Sequence, residues 1–370
     1  MNYKEALFFI GKCLTINHEA HNKKSVAAQL QTEKIDWDMV VQVSTAHYVF
    51  PALYLNLKKA NFTEYLPEEL VNYMDHITSL NRERNEAIIN QVRDLQKLLV
   101  ANGIEPIFLK GSGNLVSGLY DDIAERMVGD IDFLVSQEHY QTCTQLLAEN
   151  GYIKVHDTKL KLVGFRHYPR LRHEDHIAAV EVHSDLVIED YVAEFNYNFL
   201  KPNFQSINSY QVLGFEDQFC LSIIAKQIND KGQHYKDIAL RNTYDAFLLS
   251  KKCDTGKAIS RFEDLKDPLN SYLAICNETL DGIDTFRISK SKKTKKYLKD
   301  FYHFLNNDKL RKKHHYRTKK KFLWKTRIGI IKKAFLDQNH RKWLFNRIRE
   351  KDWQEARMIE FGLKKPKPNE

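Results

Sequence analysis

Over the first hundred residues apolar side chains recur at intervals of three and four: Leu70, Tyr73, Met74, Ile77 and Leu80, then Ile88, Ile89, Val92, Leu95, Leu98 and Leu99. That period predicts amphipathic helices, and Gly103 supplies a stop for the last of them. From Ile104 the period changes. Ile107, Phe108 and Leu109 read as a short buried strand, Lys110-Gly111-Ser112-Gly113 as a tight turn, and 114–120 as a helix. Residues 130–135 (Asp-Ile-Asp-Phe-Leu-Val) alternate polar and apolar before becoming wholly apolar, as a strand with one face in the core. Ser136 is placed to cap a helix through Ala148 and Gly151 to end it, with strands expected at 152–155, 164–170 and 177–183. Beyond Asp217 the helical period returns, for instance in Phe219, Leu221, Ile223, Ile224 and Ile228. The expected layout is a helical region over 1–100, an α/β core over 101–200, a helical region over 201–285 and a C-terminal segment over 286–370. Within that segment 290–299 reads as a linker and 322–349 as amphipathic helices.

Composition removes whole classes. With 43% hydrophobic and 28% charged residues, and only 14 Gly and 8 Pro in 370 residues, the chain is neither collagenous nor disordered throughout. Its apolar runs, such as 6–10 and 328–331, fall far short of the roughly 20 residues that cross a bilayer. The N-terminus carries Glu5 and no secretory pattern, so the expected location is cytoplasmic. Five scattered cysteines without a CxxC pair fit reduced thiols. The histidines at 167, 173, 176 and 183 lack zinc-site spacing.

Charge adds an asymmetry that the net value of +9 hides. Residues 286–370 hold 28 Lys and Arg against 8 Asp and Glu, giving +20, whereas the other 285 hold 29 against 40, giving −11. A basic segment of this density fits weak contact with a polyanion, RNA or an anionic membrane surface, through 286–321, and equally fits a merely solvated face, while the apolar stretch after Phe322 is expected to fold back on the acidic body.

The chemistry concentrates in the α/β core. Residues two apart on a strand share a face, so Asp130 and Asp132 present two carboxylates side by side. Two such charges repel, and a hard dication, normally Mg²⁺, relieves the conflict while keeping positions open for phosphate oxygens. The Gly111-Ser112 turn offers backbone N–H groups to anions. Glu181 and His183 share a face of a later strand, and Glu181 would complete a two-metal site that clamps an in-line displacement at phosphorus. Each element alone has a plainer reading: a solvated strand edge, a surface ion pair, an ordinary turn. Their order is what carries weight.

That order resembles the nucleotidyltransferase superfamily typified by DNA polymerase beta. More closely, it resembles a bacterial nucleotidyltransferase family with a Leu-Lys-Gly strand end, a Leu-Tyr-Asp stretch, an Arg shortly before Asp-Ile-Asp, and a later Glu-x-His. Here these are Leu109-Lys110-Gly111, Leu119-Tyr120-Asp121, Arg126, Asp130-Ile131-Asp132 and Glu181-Val182-His183, with a longer gap from Ser112 to Asp130 than the superfamily shows. The resemblance covers about residues 50–250. It implies an α+β fold, a small mixed-sheet polymerase beta-like core flanked by N- and C-terminal helical regions, with 201–285 completing the active-site cleft.

It further implies Mg²⁺-dependent transfer of a nucleotidyl group from a nucleoside triphosphate such as ATP to a hydroxyl- or phosphate-bearing acceptor, with two metal ions and Mn²⁺ as a substitute. Asp130, Asp132 and Glu181 would be the catalytic and metal-binding residues; Lys110, Gly111, Ser112, Arg126 and His183 would bind the nucleotide phosphates. Alternatives stay open at two positions: Arg126 could pair with Asp121 or Asp122, and Arg241 with Asp245 four residues on. The competing reading of the whole chain is a catalytically degenerate nucleotide-binding protein whose basic segment docks on RNA or an anionic membrane.

Overall fold

A computed structural model describes residues 1–32, 34–155 and 167–360. The first part of the strand expected at 164–170 lies outside the described residues. The chain opens with four helices, α1 (Tyr3–Cys13), α2 (Ala20–Thr32), α3 (Trp37–Ala46) and α4 (Phe50–Lys59), and the long α5 (Glu68–Ala101). The mixed region follows: β1 (Ile107–Leu109), α6 (Lys110–Val116), β2 (Asp130–Leu134), α7 (Gln137–Glu149), β3 (Ile153–Lys154), β4 (Leu171–Arg172), β5 (Ala179–His183), α8 (Tyr197–Leu200), β6 (Gln205–Ile207) and β7 (Tyr210–Val212). Helices complete the chain: α9 (Phe215–Ile224), α10 (Gly232–Tyr235), α11 (Leu240–Ser250), α12 (Thr255–Ser260), α13 (Lys266–Thr279), α14 (Lys292–Leu305), α15 (Asp308–Leu336), α16 (Gln338–Arg349) and α17 (Lys351–Glu360). This is the mixed α+β architecture with helical flanks that the sequence implied.

Two compact units divide the chain, one ending at Asn307 and the other starting at Asp308. The division falls inside the segment expected at 286–370. Its cause is α14: Tyr297, Phe301 and Leu305, at four-residue spacing, are buried, and Asn270 of α13 donates to Thr294 Oγ1 at 2.7 Å. The stretch 290–299, expected as a linker, thus supplies the first half of a packed helix.

In the first unit a seven-stranded mixed sheet has the order β3-β4-β5-β2-β1-β7-β6. β2 runs antiparallel to β1 and parallel to β5. Leu109 pairs with Asp132, and Asp132 pairs with Glu181. α6 starts directly at the end of β1, so Gly-Ser-Gly forms its first turn instead of a loop ahead of it. Gly113 permits this: a Cβ there would lie 2.6 Å from the Phe108 carbonyl oxygen. Lys110, at the junction, takes a left-handed backbone with φ of 50°, an arrangement that costs an L-residue roughly 1 kcal/mol.

The buried seam of α5 differs from the apolar stripe expected at 70–80. It runs Met74, Thr78, Asn81, Asn85, Ile88, Val92, Leu95 and Leu99, while Tyr73 and Leu80 are exposed. The spacing alternates four and three without a break, and it places two asparagines inward. They do so because backbone carbonyls wait there: Asn81 Nδ2 donates to Ala124 O at 2.7 Å, and Asn85 Nδ2 to Ile123 O at 2.6 Å and Arg126 O at 2.7 Å. Gln91 exchanges both bonds with the backbone of Ala178, just ahead of β5. The helix thereby fixes both segments that lead into the carboxylate-bearing strands.

Among the described residues the second unit comprises the consecutive helices α15, α16 and α17.

Candidate active site

Three adjacent strands assemble one row of charged groups. Lys110 follows β1, Asp130 and Asp132 come from one face of β2, and Glu181 and His183 from one face of β5. Lys110 Nζ donates to Asp132 Oδ1 at 2.5 Å. His183 Nε2 reaches the same oxygen at 2.8 Å and stands 3.8 Å from Glu181 Oε2. Because a carboxylate only accepts, Nε2 carries the imidazole proton, and the buried Nδ1 has no hydrogen-bond partner among the described residues.

Arg170, one residue ahead of β4, closes the row from the other side. Its guanidinium donates to Asp130 Oδ2 at 2.8 Å and to Glu181 Oε1 at 3.2 Å. The carboxylates expected to hold metal are thus bridged by protein cations, Asp130 and Glu181 by Arg170, and Asp132 by Lys110.

These contacts set the protonation states. Burial pushes the Asp130 carboxyl up, and the pull of Arg170 only partly offsets it. Burial acts the same way on Asp132, but there Lys110 and His183 prevail and hold the group well below the usual carboxylate range. Burial, with Lys110 adding to it, lowers the His183 imidazole and keeps it neutral near pH 7.

The donor set fits a divalent cation. Among the described residues one group of potential ligands gathers, Asp132, Glu181 and His183, with ligand atoms all within 4.8 Å of one another. Asp130 shares a guanidinium with Glu181 and so borders the same space. The set differs from the expected three carboxylates by bringing in an imidazole nitrogen, Nε2 of His183, which would ligate only once its proton had moved to Nδ1.

The other expected phosphate-site residues lie behind this row. Ser112 is fully buried; its hydroxyl donates to Leu109 O at 3.0 Å and accepts from Asp132 N at 3.2 Å, so it pins the turn to β2 and does not face outward. Gly111 packs on Val128 and the Arg126 guanidinium, 3.1 and 3.6 Å from where its Cβ would stand. Arg126, only 6% exposed, pairs with Asp245 of α11 at 2.9 Å and donates to Met127 O at 2.7 Å. Neither Asp121 nor Asp122 is its partner: Lys59 holds Asp121 and Arg82 holds Asp122. Tyr120 also donates to Asp245, at 2.7 Å. That carboxylate is therefore committed across the fold, and Arg241 lies over the Tyr48 ring instead of forming the pair expected along the helix.

Sequence reasoning missed Arg170, and it paired Asp245 with Arg241 where the structure pairs it with Arg126. Arg170 lay at the end of an expected strand, but only strand order shows that β4 is the neighbour of β5.

Residues 33–281 match a protein family described as an uncharacterised nucleotidyltransferase. The chain belongs to that family. The match takes in all seven strands and the helices from α3 to α13, and with them the whole charged row. No curated protein and no solved structure matches the chain. General nucleotidyl transfer, with a nucleotide as one substrate, follows from family membership. Among the described residues of this nucleotidyltransferase, no helix is long and apolar enough to cross a membrane.

Proposed function

We propose that this enzyme transfers a nucleoside monophosphate group from a nucleoside triphosphate to a hydroxyl- or phosphate-bearing acceptor, with Mg²⁺ as its natural metal and Mn²⁺ as a substitute. The single observation that carries the reading is the row Asp130, Asp132 and Glu181 on adjacent strands, neutralised in this structure by two side-chain cations. Asp130, Asp132 and Glu181, with His183 at hand, would hold the metal, which would supply charge neutralisation for the phosphates and the leaving pyrophosphate.

The residues of the chain account for the rest. An acceptor oxygen attacks the α-phosphorus; the new O–P bond forms as the bond from the α-phosphorus to the α,β-bridging oxygen breaks, and pyrophosphate departs with that electron pair. The acceptor proton passes to Glu181. Lys110 and Arg170, released from their carboxylates, neutralise phosphate oxygens. Ser112 and the Arg126–Asp245 pair hold the turn of α6 in place behind them.

The test is pyrophosphate release from each nucleoside triphosphate with Mg²⁺, together with mass analysis of candidate acceptors. Release accompanied by a mass gain of one nucleoside monophosphate is expected. Nucleotide binding without release for any triphosphate and acceptor would favour the degenerate binding protein instead.

A further inference from the structure

The second unit carries a surface that lies outside the family match. α15 has apolar residues on two sides. Ala334 is buried, Leu323 and Ile330 are half-buried within about 40° of it around the helix, and a second, exposed set lies on another side. Trp324, Ile328, Ile331 and Phe335 are spaced by four, three and four, which puts them within about 60° of one another around the helix. All are exposed, at 55, 49, 49 and 78%. The same geometry sets Lys321, Lys325 and Lys332 along one border of this stripe, and Lys320 and Arg327 along the other. In all, α15 has 12 Lys and Arg and one acidic residue, Asp308.

We propose that this face of α15 docks in the plane of an anionic lipid surface, with the stripe among the acyl chains and the flanking lysines at the headgroups. An apolar stripe bordered by cations on both sides is what an interfacial helix needs. The centre of the face argues against nucleic acid, because Ile328 and Ile331 offer no ring for a base to stack on. Like charge along the whole helix opposes pairing with a second copy. The family match ends at residue 281, so this surface is additional to the part of the chain that the family shares. It also lies largely beyond 286–321, where charge alone placed the polyanion contact.

The experiment is co-sedimentation of the full-length protein with phosphatidylcholine vesicles and with vesicles mixing phosphatidylcholine and phosphatidylglycerol equally. Binding to the anionic vesicles alone, weakening as salt rises, is expected. The variant Ile328→Ser/Ile331→Ser/Phe335→Ser should bind them at least about tenfold more weakly, with unchanged helix content and melting temperature. Because that variant could disturb the helix, Lys321→Gln/Lys325→Gln/Lys332→Gln gives a second reading; it should lose a comparable factor and retain less salt dependence. No binding to anionic vesicles, or full binding by both variants, overturns the proposal. So does tight binding of single-stranded RNA that survives the serine variant while vesicles are ignored, which would make the partner a nucleic acid. A dimer that the serine variant abolishes, in a protein that does not sediment with lipid, would make it a second copy.

Discussion

Asp132 and Glu181 are direct partners across the parallel pairing of β2 and β5. Neighbouring strands lie about 4.8 Å apart, so two carboxylates on one sheet face at this register repel unless a cation stands between or beside them. Lys110 and Arg170 do so in this structure. Under the proposed function, a site already neutralised by protein cations would exchange them for metal and phosphate, and that exchange is measurable.

Arg170→Ala should bind Mn²⁺ several-fold more tightly than the unaltered protein when no nucleotide is present, because the cation no longer competes for Asp130 and Glu181. With nucleotide present the gain should disappear, since the same side chain then serves the phosphates. Isothermal titration in both conditions checks this. Unchanged or weaker Mn²⁺ affinity of the nucleotide-free variant would remove Arg170 from the site.

Asp130→Asn and Asp132→Asn should both lower pyrophosphate release by at least about a hundredfold, yet differ in stability. The Asp130 partner, Arg170, is half-exposed, and pairs of that kind contribute about 0–1 kcal/mol. Asp132 is buried and accepts from both Lys110 and His183, so its variant should melt distinctly lower. Equal melting temperatures for the two would contradict the assigned contacts.

Lys110 and Arg126, both expected from sequence to meet phosphate, should separate cleanly. Arg126→Met leaves Asp245 buried without its main partner and should cost about 3–5 kcal/mol in chemical denaturation. Adding Asp245→Leu to it should restore much of that loss. Lys110→Met should instead weaken nucleotide binding while costing far less stability. Retained stability in Arg126→Met with lost nucleotide affinity would return Arg126 to the phosphate role.

The lowered His183 imidazole fixes the sign of one pH effect. Its ordinary value is 6.5 and burial depresses it in the folded chain, so below about pH 6.5 the unfolded state takes up a proton that the folded state refuses. Stability should fall as pH drops through that value towards the folded one. His183→Gln should flatten this part of a melting-temperature profile between pH 7.5 and 5.5, values that bracket the ordinary titration of histidine. A wild-type slope that persists unchanged in the variant would assign it to another group.

What could be read from the sequence was local. Strand, turn and paired carboxylates follow one another from Ile107 to Leu134, where period and turn chemistry act over a few residues. Glu181 and His183 were within reach because two residues apart on a strand means one face. The partners of Arg170 and Asp245 were not, since they are set by strand order and by the docking of α11, which no spacing encodes. On α5 the polar identity of Asn81 and Asn85 disguised the seam. In α14 the density of lysine hid Tyr297, Phe301 and Leu305, although their four-residue spacing was present throughout.

The amides of α5 bind two distant stretches of chain to one rod. Asn81 and Asn85 hold the carbonyls of 123–126, and Gln91 holds Ala178 at the threshold of β5. A local opening of the middle of this helix would let go of both at once. Backbone amides near Arg126 and near Ala178 should therefore share one opening free energy in hydrogen exchange and behave as a single cooperative unit. A loop that frayed alone would show a lower value on one side only, and the site would then lose its frame from one edge.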